Sequence, residues 1–456
     1  MSPLAVNAGA RLDRLPLSSF HRRILTLIGI GMFFDGFDVY VAATVLGATL
    51  KAGFSTLAQN AQFVSVTFVG MMLGSFITGF LGDRYGRRFT YQANLVIFGL
   101  ASVAAAFAPS MPVLILLRGV MGLGLGAELV VGYAAMTEFV PPQARGKWVG
   151  ALSVFVVTSL PFSALASTLI IPRSSWRTMF VLAGLGGLIV WYLRKALPES
   201  PRWLESVGRM EEAEAIMKSI EEEVIREHGP FPSPILSRPG PPMRTVAALL
   251  SPVLFPRLVV GMVTLIVANT LIYGFVTWLP TFFVTQGRSI ASSFIYSFFM
   301  SAGAPVGSTI GTLTADSWGR KRVIIGASLA TIVVGAIYPF LVNPVFLVIT
   351  GFLLVVAIYV QVTLLFAIYV PELFPTDVRM RATGICNTAG RAATMVTPFF
   401  VVALLRTYGI AGVLGMIIGL LVVQIVVVML FGVEPRKRRL EEMDSESSLS
   451  PLPSAT

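Results

Sequence analysis

The stretch "GFLGDRYGRR" at residues 79–88 follows a long apolar run and places four charged side chains within six positions. A second stretch, "DSWGRKR" at residues 316–322, follows another long apolar run much later in the chain. Its Asp316 lies 233 positions after Asp83, and in both stretches a glycine and then basic residues follow the aspartate. One sequence element is therefore used twice.

A second pair of segments repeats at nearly the same offset. "EFVPPQARGK" at residues 138–147 corresponds to "ELFPTDVRMR" at residues 372–381, and 234 positions separate Glu138 from Glu372. In each copy the glutamate follows the aspartate by 55 or 56 positions, and an arginine follows the glutamate by seven. Two motifs that each recur after nearly the same number of positions, 233 and 234, indicate the duplication of a long unit. Two related halves around a central cavity are typical of secondary transporters.

The composition predicts a membrane protein. Of the 456 residues 55% are hydrophobic and only 12% are charged, and the mean hydropathy is +0.80. A soluble domain carries about twice this charged fraction. The chain has too little polar surface to cover a globule in water, so the bilayer is its expected solvent.

The apolar runs give the number of spans. A helix needs about 20 apolar residues to cross the hydrocarbon core, and the chain contains twelve such runs. They cover residues 22–46, 60–82, 89–108, 112–138, 147–171, 176–197, 257–284, 290–315, 322–342, 344–370, 381–405 and 409–433. We therefore predict an all-α membrane protein with twelve transmembrane helices in two six-helix repeats.

The basic residues predict the orientation, since cytoplasmic loops carry an excess of Lys and Arg. With both termini in the cytoplasm, 27 of the 34 Lys and Arg residues are assigned to that side, nine of them to the loop between the sixth and seventh runs together with the run ends that flank it. Five face the other side and two lie within runs. We expect a multi-pass protein of the bacterial inner (plasma) membrane. The predicted segments are a cytoplasmic N-terminus (1–21), a six-helix bundle (22–197), a cytoplasmic linker (198–256), a second bundle (257–433) and a cytoplasmic disordered tail (434–456).

Other classes of protein are not favoured. The net charge of +11 could suggest nucleic acid, but the basic residues lie in short clusters between apolar runs rather than on one soluble face. Cys386 lies in an apolar run, and His21 and His228 lie outside the runs, so neither a disulfide framework nor a metal site is expected. We expect no enzymatic activity and no cofactor.

The fourth span is dense in glycine, at Gly119, Gly122, Gly124 and Gly126. No strand precedes these glycines, which excludes a dinucleotide-binding loop. They favour close contact between helices instead.

The first motif closely resembles the signature loop of the major facilitator superfamily. "PESPRW" at residues 198–203 is similar to the segment that follows the sixth helix in its sugar porters and their organic-ion relatives. The resemblance implies alternating access, with the charged loop residues acting as gating ion pairs. Topogenic charge is the plainer interpretation. These residues are Asp83, Arg84, Arg87, Glu138, Arg145, Asp316, Arg320, Glu372 and Arg379.

Ionisable residues inside spans usually face a cavity or a partner. At 1.5 Å per residue, Asp38 lies about 24 Å above the cytoplasmic edge and Arg118 about 9 Å below the outer edge. In a core about 30 Å thick these depths nearly coincide, so the two residues are expected to be partners. The pair resembles the aspartate and arginine of proton-coupled sugar porters, which implies proton coupling; a static ion pair is the alternative. Asp35, one turn inward, is either a second relay point or a partner of helix-end groups.

Arg391 in the eleventh span is the candidate for substrate recognition, because its planar guanidinium matches a carboxylate. The alternative is an internal pair with Glu128, since both lie about 15 Å above the cytoplasmic edge. The other candidate substrate-binding residues are polar or aromatic side chains within spans: Asn387, Glu128, Tyr133, Asn269, Tyr273, Thr277, Trp278, Tyr359 and Gln361.

Short motifs indicate the class of substrate. "DGFD" at residues 35–38 resembles both the aromatic-acid:proton symporters and the nicotinate transporters. "GLGLGAELVV" around Glu128, "YVPELFPT" and the "AGR" that ends at Arg391 are more similar to the nicotinate transporters and their metabolite:proton relatives. We predict a monomeric symporter whose partners are the bilayer, protons and a small organic acid, most like nicotinate. Hydroxybenzoate- or shikimate-type acids, a sugar or polyol, and a non-transporting receptor on the same fold are the alternatives.

Two polar segments complete the prediction. Residues 203–228 form an amphipathic, Glu-rich pattern, followed by a Pro-rich linker at 229–243. The end of the tail, residues 440–456, has a disordered composition.

Overall fold

The computed structural model describes residues 6–230, 233, 249–374 and 378–434, and its regular structure there is helical. The α-helices are α1 (Ala8–Asp13), α2 (Ser19–Lys51), α3 (Leu57–Tyr85), α4 (Arg87–Ala106), α5 (Met111–Phe139), α6 (Pro142–Ile170), α7 (Trp176–Leu193), α8 (Pro201–Ser206), α9 (Met210–His228), α10 (Leu254–Gly274), α11 (Leu279–Thr285), α12 (Ile290–Ser301), α13 (Gly303–Trp318), α14 (Arg320–Ile337), α15 (Pro344–Leu364), α16 (Val370–Glu372) and α17 (Arg379–Phe431). The predicted all-α class is confirmed.

All twelve predicted runs lie on these helices. Within the described residues, ten helices are long and apolar enough to cross a membrane, and one of them, α17, contains the last two runs. The second of these runs begins at Gly409, whose φ of 64° and ψ of −155° redirect the chain within α17. Glycine adopts this conformation readily because it has no side chain. In α5 the described apolar segment is Met111–Gly126.

Internal contacts divide the chain into two compact units. The first, unit 1, is Met1–Pro239 with Gly287–Ile295, and the second, unit 2, is Gly240–Gln286 with Tyr296–Thr456. The boundaries predicted for the cytoplasmic segments stay predictions.

The duplication is visible in the packing of each unit. A methyl group added to Gly74 on α3 would lie 2.0 Å from the backbone oxygen of Leu123 on α5. In unit 2, a methyl group on Gly307 of α13 would lie 2.3 Å from the backbone oxygen of Val356 on α15. Gly307 lies 233 positions after Gly74, and Val356 lies 233 positions after Leu123. The same helix contact is therefore built twice at the offset of the loop motif.

The glycines of the fourth span serve close helix packing, as predicted. A methyl group on Gly122 would lie 2.5 Å from the oxygen of Thr67, and one on Gly126 would lie 1.9 Å from the oxygen of Met71. Ser75 on α3 also donates a hydrogen bond to the oxygen of Gly126 at 2.7 Å. The backbones of α3 and α5 lie so close here that no side chain fits between them. This contact fixes α5 against α3, and α5 carries Arg118 and Glu128.

The Glu-rich segment is helical but is divided into α8 and α9. The buried side chains of α9 are Ala213, Met217, Ile220 and Val224, which share one face and pack in a core with Leu12 of α1. The amphipathic character is confirmed, whereas α1 was not predicted. Most of the Pro-rich linker (229–243) and all of residues 440–456 lie outside the described residues.

Candidate functional site

The best-defined polar contact inside unit 1 joins Arg118 and Asp38, and both side chains are fully buried. Arg118 Nη1 forms an ion pair with Asp38 Oδ2, and Nη2 donates to the backbone oxygen of Asp38 at 3.2 Å. Nε donates to Thr67 Oγ1 at 3.1 Å. The ring of Phe63 lies 5.1 Å from the guanidinium carbon. The partnership predicted from depth is confirmed; its role in proton coupling stays a prediction.

Asp35 lies on the same face of α2, one turn before Asp38. Its side chain is buried, and Oδ2 has no hydrogen-bond partner among the described residues. Glu128, Arg194 and Asp38 are the charged groups within electrostatic range. Asp35 is thus a buried acid beside several charges, without a dedicated counter-ion.

Glu128 forms an ion pair with Arg194, and both side chains are buried. Arg194 also donates from Nε to the oxygen of Leu27 at 3.0 Å and from Nη2 to the oxygen of Ile28 at 2.8 Å. The ring of Tyr91 lies 5.0 Å from its guanidinium carbon. Glu128 therefore has a partner within its own unit.

Arg194 is an interior residue that the sequence did not lead us to expect. The orientation prediction assigns Arg194 to the cytoplasmic loop after the sixth run, although the residue lies inside the predicted run 176–197. The structure places it in a 3₁₀ turn, Arg194–Ala196, with its side chain directed into the bundle. Its position within the apolar run was the signal that it belongs to the interior.

In unit 2, Arg391 lies partly buried on α17, where that helix packs against α10. The preceding Gly390 allows the contact, because a methyl group there would lie 2.5 Å from Asn269 Nδ2. Tyr273, one turn beyond Asn269 on α10, is within electrostatic range of Arg391. Asn387 lies one turn before Arg391 and donates to the oxygen of Thr383 at 2.9 Å. The structure thus brings Arg391, Asn269 and Tyr273 to one helix contact.

Thr277 and Trp278 lie in a 3₁₀ turn, Val276–Trp278, between α10 and α11. Thr277 Oγ1 donates to the oxygen of Ile272 at 3.2 Å. Trp278 is fully buried, and within the described part of the chain its indole Nε1 has no hydrogen-bond acceptor. A buried indole usually finds an acceptor, so the donor of Trp278 is unsatisfied within the described residues; its role in binding stays a prediction.

Gln361 belongs to a buried network rather than to an open surface. Its Oε1 accepts from Ser328 Oγ at 3.0 Å and from Gln424 Nε2 at 2.8 Å, and its Nε2 donates to Thr331 Oγ1 at 3.4 Å. These contacts hold α14, α15 and α17 together.

Of the remaining candidates, Tyr359 is fully buried, and Tyr133 contacts Ser153 Oγ through its hydroxyl at 3.2 Å.

Among the charged loop residues, Arg320 pairs with Glu372, with 3.0 Å between Nε and Oε2. Arg84 is exposed and lies against the ring of Tyr85, and the backbone oxygen of Glu138 accepts from Arg202 Nε at 2.9 Å. The side chains of Asp83, Arg87, Arg145, Asp316 and Arg379 lie outside the described part of the structure.

The two units also share a capping arrangement that the loop motifs did not reveal. Glu199, in the "PESPRW" segment, accepts from the backbone nitrogen of Arg88 at 3.2 Å, at the start of α4. Glu434 accepts from the backbone nitrogens of Arg320 and Lys321 at 3.0 Å, at the start of α14. A carboxylate stabilises the unpaired N–H groups at a helix start. Each unit therefore places an acid after its sixth predicted span to cap the helix that forms its third span.

Comparisons with known proteins agree with this architecture. The family model described as "Sugar (and other) transporter" matches residues 24–446. The inner membrane metabolite transport protein YdjE of Escherichia coli strain K12 is 37% identical over 443 residues, which cover 95% of this chain and 98% of that protein. The niacin transporter NiaP of Acinetobacter baylyi is 29% identical over 439 residues, covering 95% of this chain and 99% of that protein.

Solved structures match over nearly the whole chain. The xylose transporter XylE of E. coli, in a partially occluded inward-open conformation, has a TM-score of 0.74 at 17% identity, covering 92% of this chain and 100% of that chain. The major facilitator superfamily proton:xylose symporter XylE with bound 6-bromo-6-deoxy-D-glucose has a TM-score of 0.69 at 19% identity, covering 94% and 99%. At this identity the likeness establishes the twelve-helix fold.

Proposed function

The chain belongs to the sugar (and other) transporter family, and we propose that within this family it is a proton-coupled symporter of a small organic acid. The fold is that of the major facilitator superfamily, and the chain is an integral, multi-pass membrane protein. The single observation that carries the proposal is the buried pair of Asp38 and Arg118.

Proton coupling follows from the chemistry of this pair. An aspartate beside a guanidinium favours its ionised form, whereas an aspartate that loses this partner in a dry site takes up a proton. A conformational change that alters the contact between Asp38 and Arg118 would load and release one proton. Alternating access, with both termini in the cytoplasm and the charged loop residues as gates, is the transport cycle that we propose.

The substrate that we propose is an aromatic monocarboxylate such as nicotinate. Arg391 supplies a cation for the carboxylate, and Tyr273, Asn269 and Trp278 supply an aromatic face and polar donors on the same part of unit 2. The similarity to a niacin transporter over 95% of the chain supports this class. Gln361 is not part of the proposed site, because its amide is engaged in the buried network.

Uptake measurements test the proposal. Vesicles that contain the protein are given labelled nicotinate, 4-hydroxybenzoate, shikimate or xylose, with and without an imposed proton gradient. We expect gradient-driven accumulation of nicotinate. If only hydroxybenzoate, shikimate or xylose accumulates, that compound and not nicotinate is the substrate. Uptake at the same rate with and without the proton gradient would refute symport. Binding without uptake of any compound would identify a receptor.

A further inference from the structure

Among the described residues, the buried acids of unit 1 that lie around Asp35 outnumber the buried bases beside them. Three carboxyl groups, those of Asp35, Asp38 and Glu128, lie with the two guanidinium groups of Arg118 and Arg194, and all five side chains are buried. With every group ionised, the cluster would carry one uncompensated negative charge. An isolated charge inside a dry bundle is strongly unfavourable, so one proton makes the cluster neutral.

The contacts identify the carboxyl group that holds this proton. Asp38 is paired with Arg118, and Glu128 is paired with Arg194. Asp35 forms no ion pair among the described residues, and this distinguishes it, because Asp38 Oδ1 and both oxygens of Glu128 lack a hydrogen-bond partner there just as Asp35 Oδ2 does. An acid without a counter-ion is the one that stays protonated.

Within the described part of unit 1, the neighbours of Asp35 supply no further charge. On α2 the nearest charged residue is Asp38, α5 contributes Glu128, and the turn after α7 contributes Arg194. From α6, Ser159 packs against the adjacent Gly36 with a neutral hydroxyl group. From α4, the neutral ring of Tyr91 lies against Arg194.

A small cleft reaches this cluster. It is lined by Arg194, Tyr91, Arg88 and Ser200, together with apolar side chains of α2 and α5. Arg88 is exposed, so the cleft connects the buried Arg194 with the surface at the start of α4. Glu128 does not line the cleft, but its ion-pair partner Arg194 does, so one side chain separates Glu128 from the cleft.

We propose that Asp35 is a second proton-binding site of the transporter, and that Glu128 with Arg194 exchanges its proton with the cleft. In the transfer step the O–H bond of Asp35 breaks and an O–H bond forms on Glu128. Asp35 then becomes the anion beside Arg194, so the cluster remains neutral before and after the step. This inference rests on the proposed proton symport, and it assigns to Glu128 a place on the proton route rather than in the substrate pocket.

Infrared spectroscopy of the purified, full-length protein tests the assignment, because a protonated carboxyl group has a carbonyl stretch that a carboxylate lacks. At neutral pH we expect this band in the unaltered protein and its loss in Asp35→Asn. We also expect its loss in Glu128→Gln, because Asp35 then becomes the counter-ion of Arg194 and ionises. Glu372→Gln, which removes a paired carboxylate in unit 2, is the matched control and should keep the band.

Persistence of the band in Asp35→Asn or in Glu128→Gln would overturn the proposal, as would its absence from the unaltered protein. The spectrum requires no transport, so it separates this inference from the proposed function. If the band behaves as expected but the unaltered protein shows no gradient-driven uptake of any test substrate, the symport proposal fails and the proton site at Asp35 stands.

Discussion

Arg118 holds Asp38 at two points, through the side-chain carboxylate and through the backbone oxygen, which accepts from Nη2 at 3.2 Å. A third contact, from Nε to Thr67 Oγ1 at 3.1 Å, ties the same guanidinium to α3. The carboxylate can therefore leave the pair while Arg118 stays in place. A base whose position does not depend on the carboxylate suits the proton exchange that we propose for Asp38.

Arg391→Ala should weaken binding of nicotinate by about 10- to 100-fold, since a hydrogen-bonded charge contributes about 1.5–3 kcal/mol. The measurement is equilibrium binding of labelled nicotinate to purified protein. Arg406→Ala, at an exposed position on the same helix, is the control and should bind normally. Normal affinity in Arg391→Ala would remove this residue from the substrate site.

Gly126→Val should disrupt the contact between α3 and α5, because even a methyl group there would lie 1.9 Å from the backbone oxygen of Met71. Overpacking costs about 1–3 kcal/mol, and we expect a lower melting temperature in detergent. Gly150→Ala, where no atom lies within 4 Å of the added methyl group, should melt like the unaltered protein. Equal melting temperatures for both variants would contradict the packing described for α5.

Glu221 on α9 ties down α1 through Arg11, at 2.7 Å, and Arg14, at 2.6 Å. Burial alone would raise the pKa of Glu221, but its hydrogen bonds with Arg11 and Arg14 outweigh burial and hold the pKa below its usual range. The stabilisation that Glu221 gives to the packing of α1 on α9 is therefore complete above the unfolded pKa of about 4.3. It is lost as the pH falls through the lower pKa of Glu221 in the folded state.

Glu221→Gln should raise amide hydrogen exchange in Ala8–Asp13 by about 10-fold, because a hydrogen bond to a charged group contributes about 1.5–3 kcal/mol. Acidification of the unaltered protein below the pKa of Glu221 should lower the protection of the same amides, measured relative to the intrinsic exchange rate at each pH. Glu211→Gln, at an exposed position on the same helix, should exchange normally. Unchanged exchange in Glu221→Gln would show that the ion pairs do not hold α1.

The sequence predicted correctly which residues pair within regular helices. It did not predict contacts that form where a helix ends or where separate helices pack. Depth arithmetic paired Asp38 with Arg118, because both lie well inside straight helices with a constant rise per residue. It missed Arg194, because this residue lies in a turn from which its side chain reaches back into the bundle. The network around Gln361 and the buried indole of Trp278 depend on how separate helices pack, and no local pattern encodes that packing.

Asp38→Asn tests the central claim most directly. Asparagine keeps the size of the side chain but cannot carry a proton, so the variant should exchange labelled substrate across the membrane in counterflow yet fail to accumulate it when a proton gradient is imposed. Both rates are measured in the same proteoliposomes. Loss of gradient-driven accumulation with surviving counterflow is the predicted result, and accumulation equal to that of the unaltered protein would contradict the account.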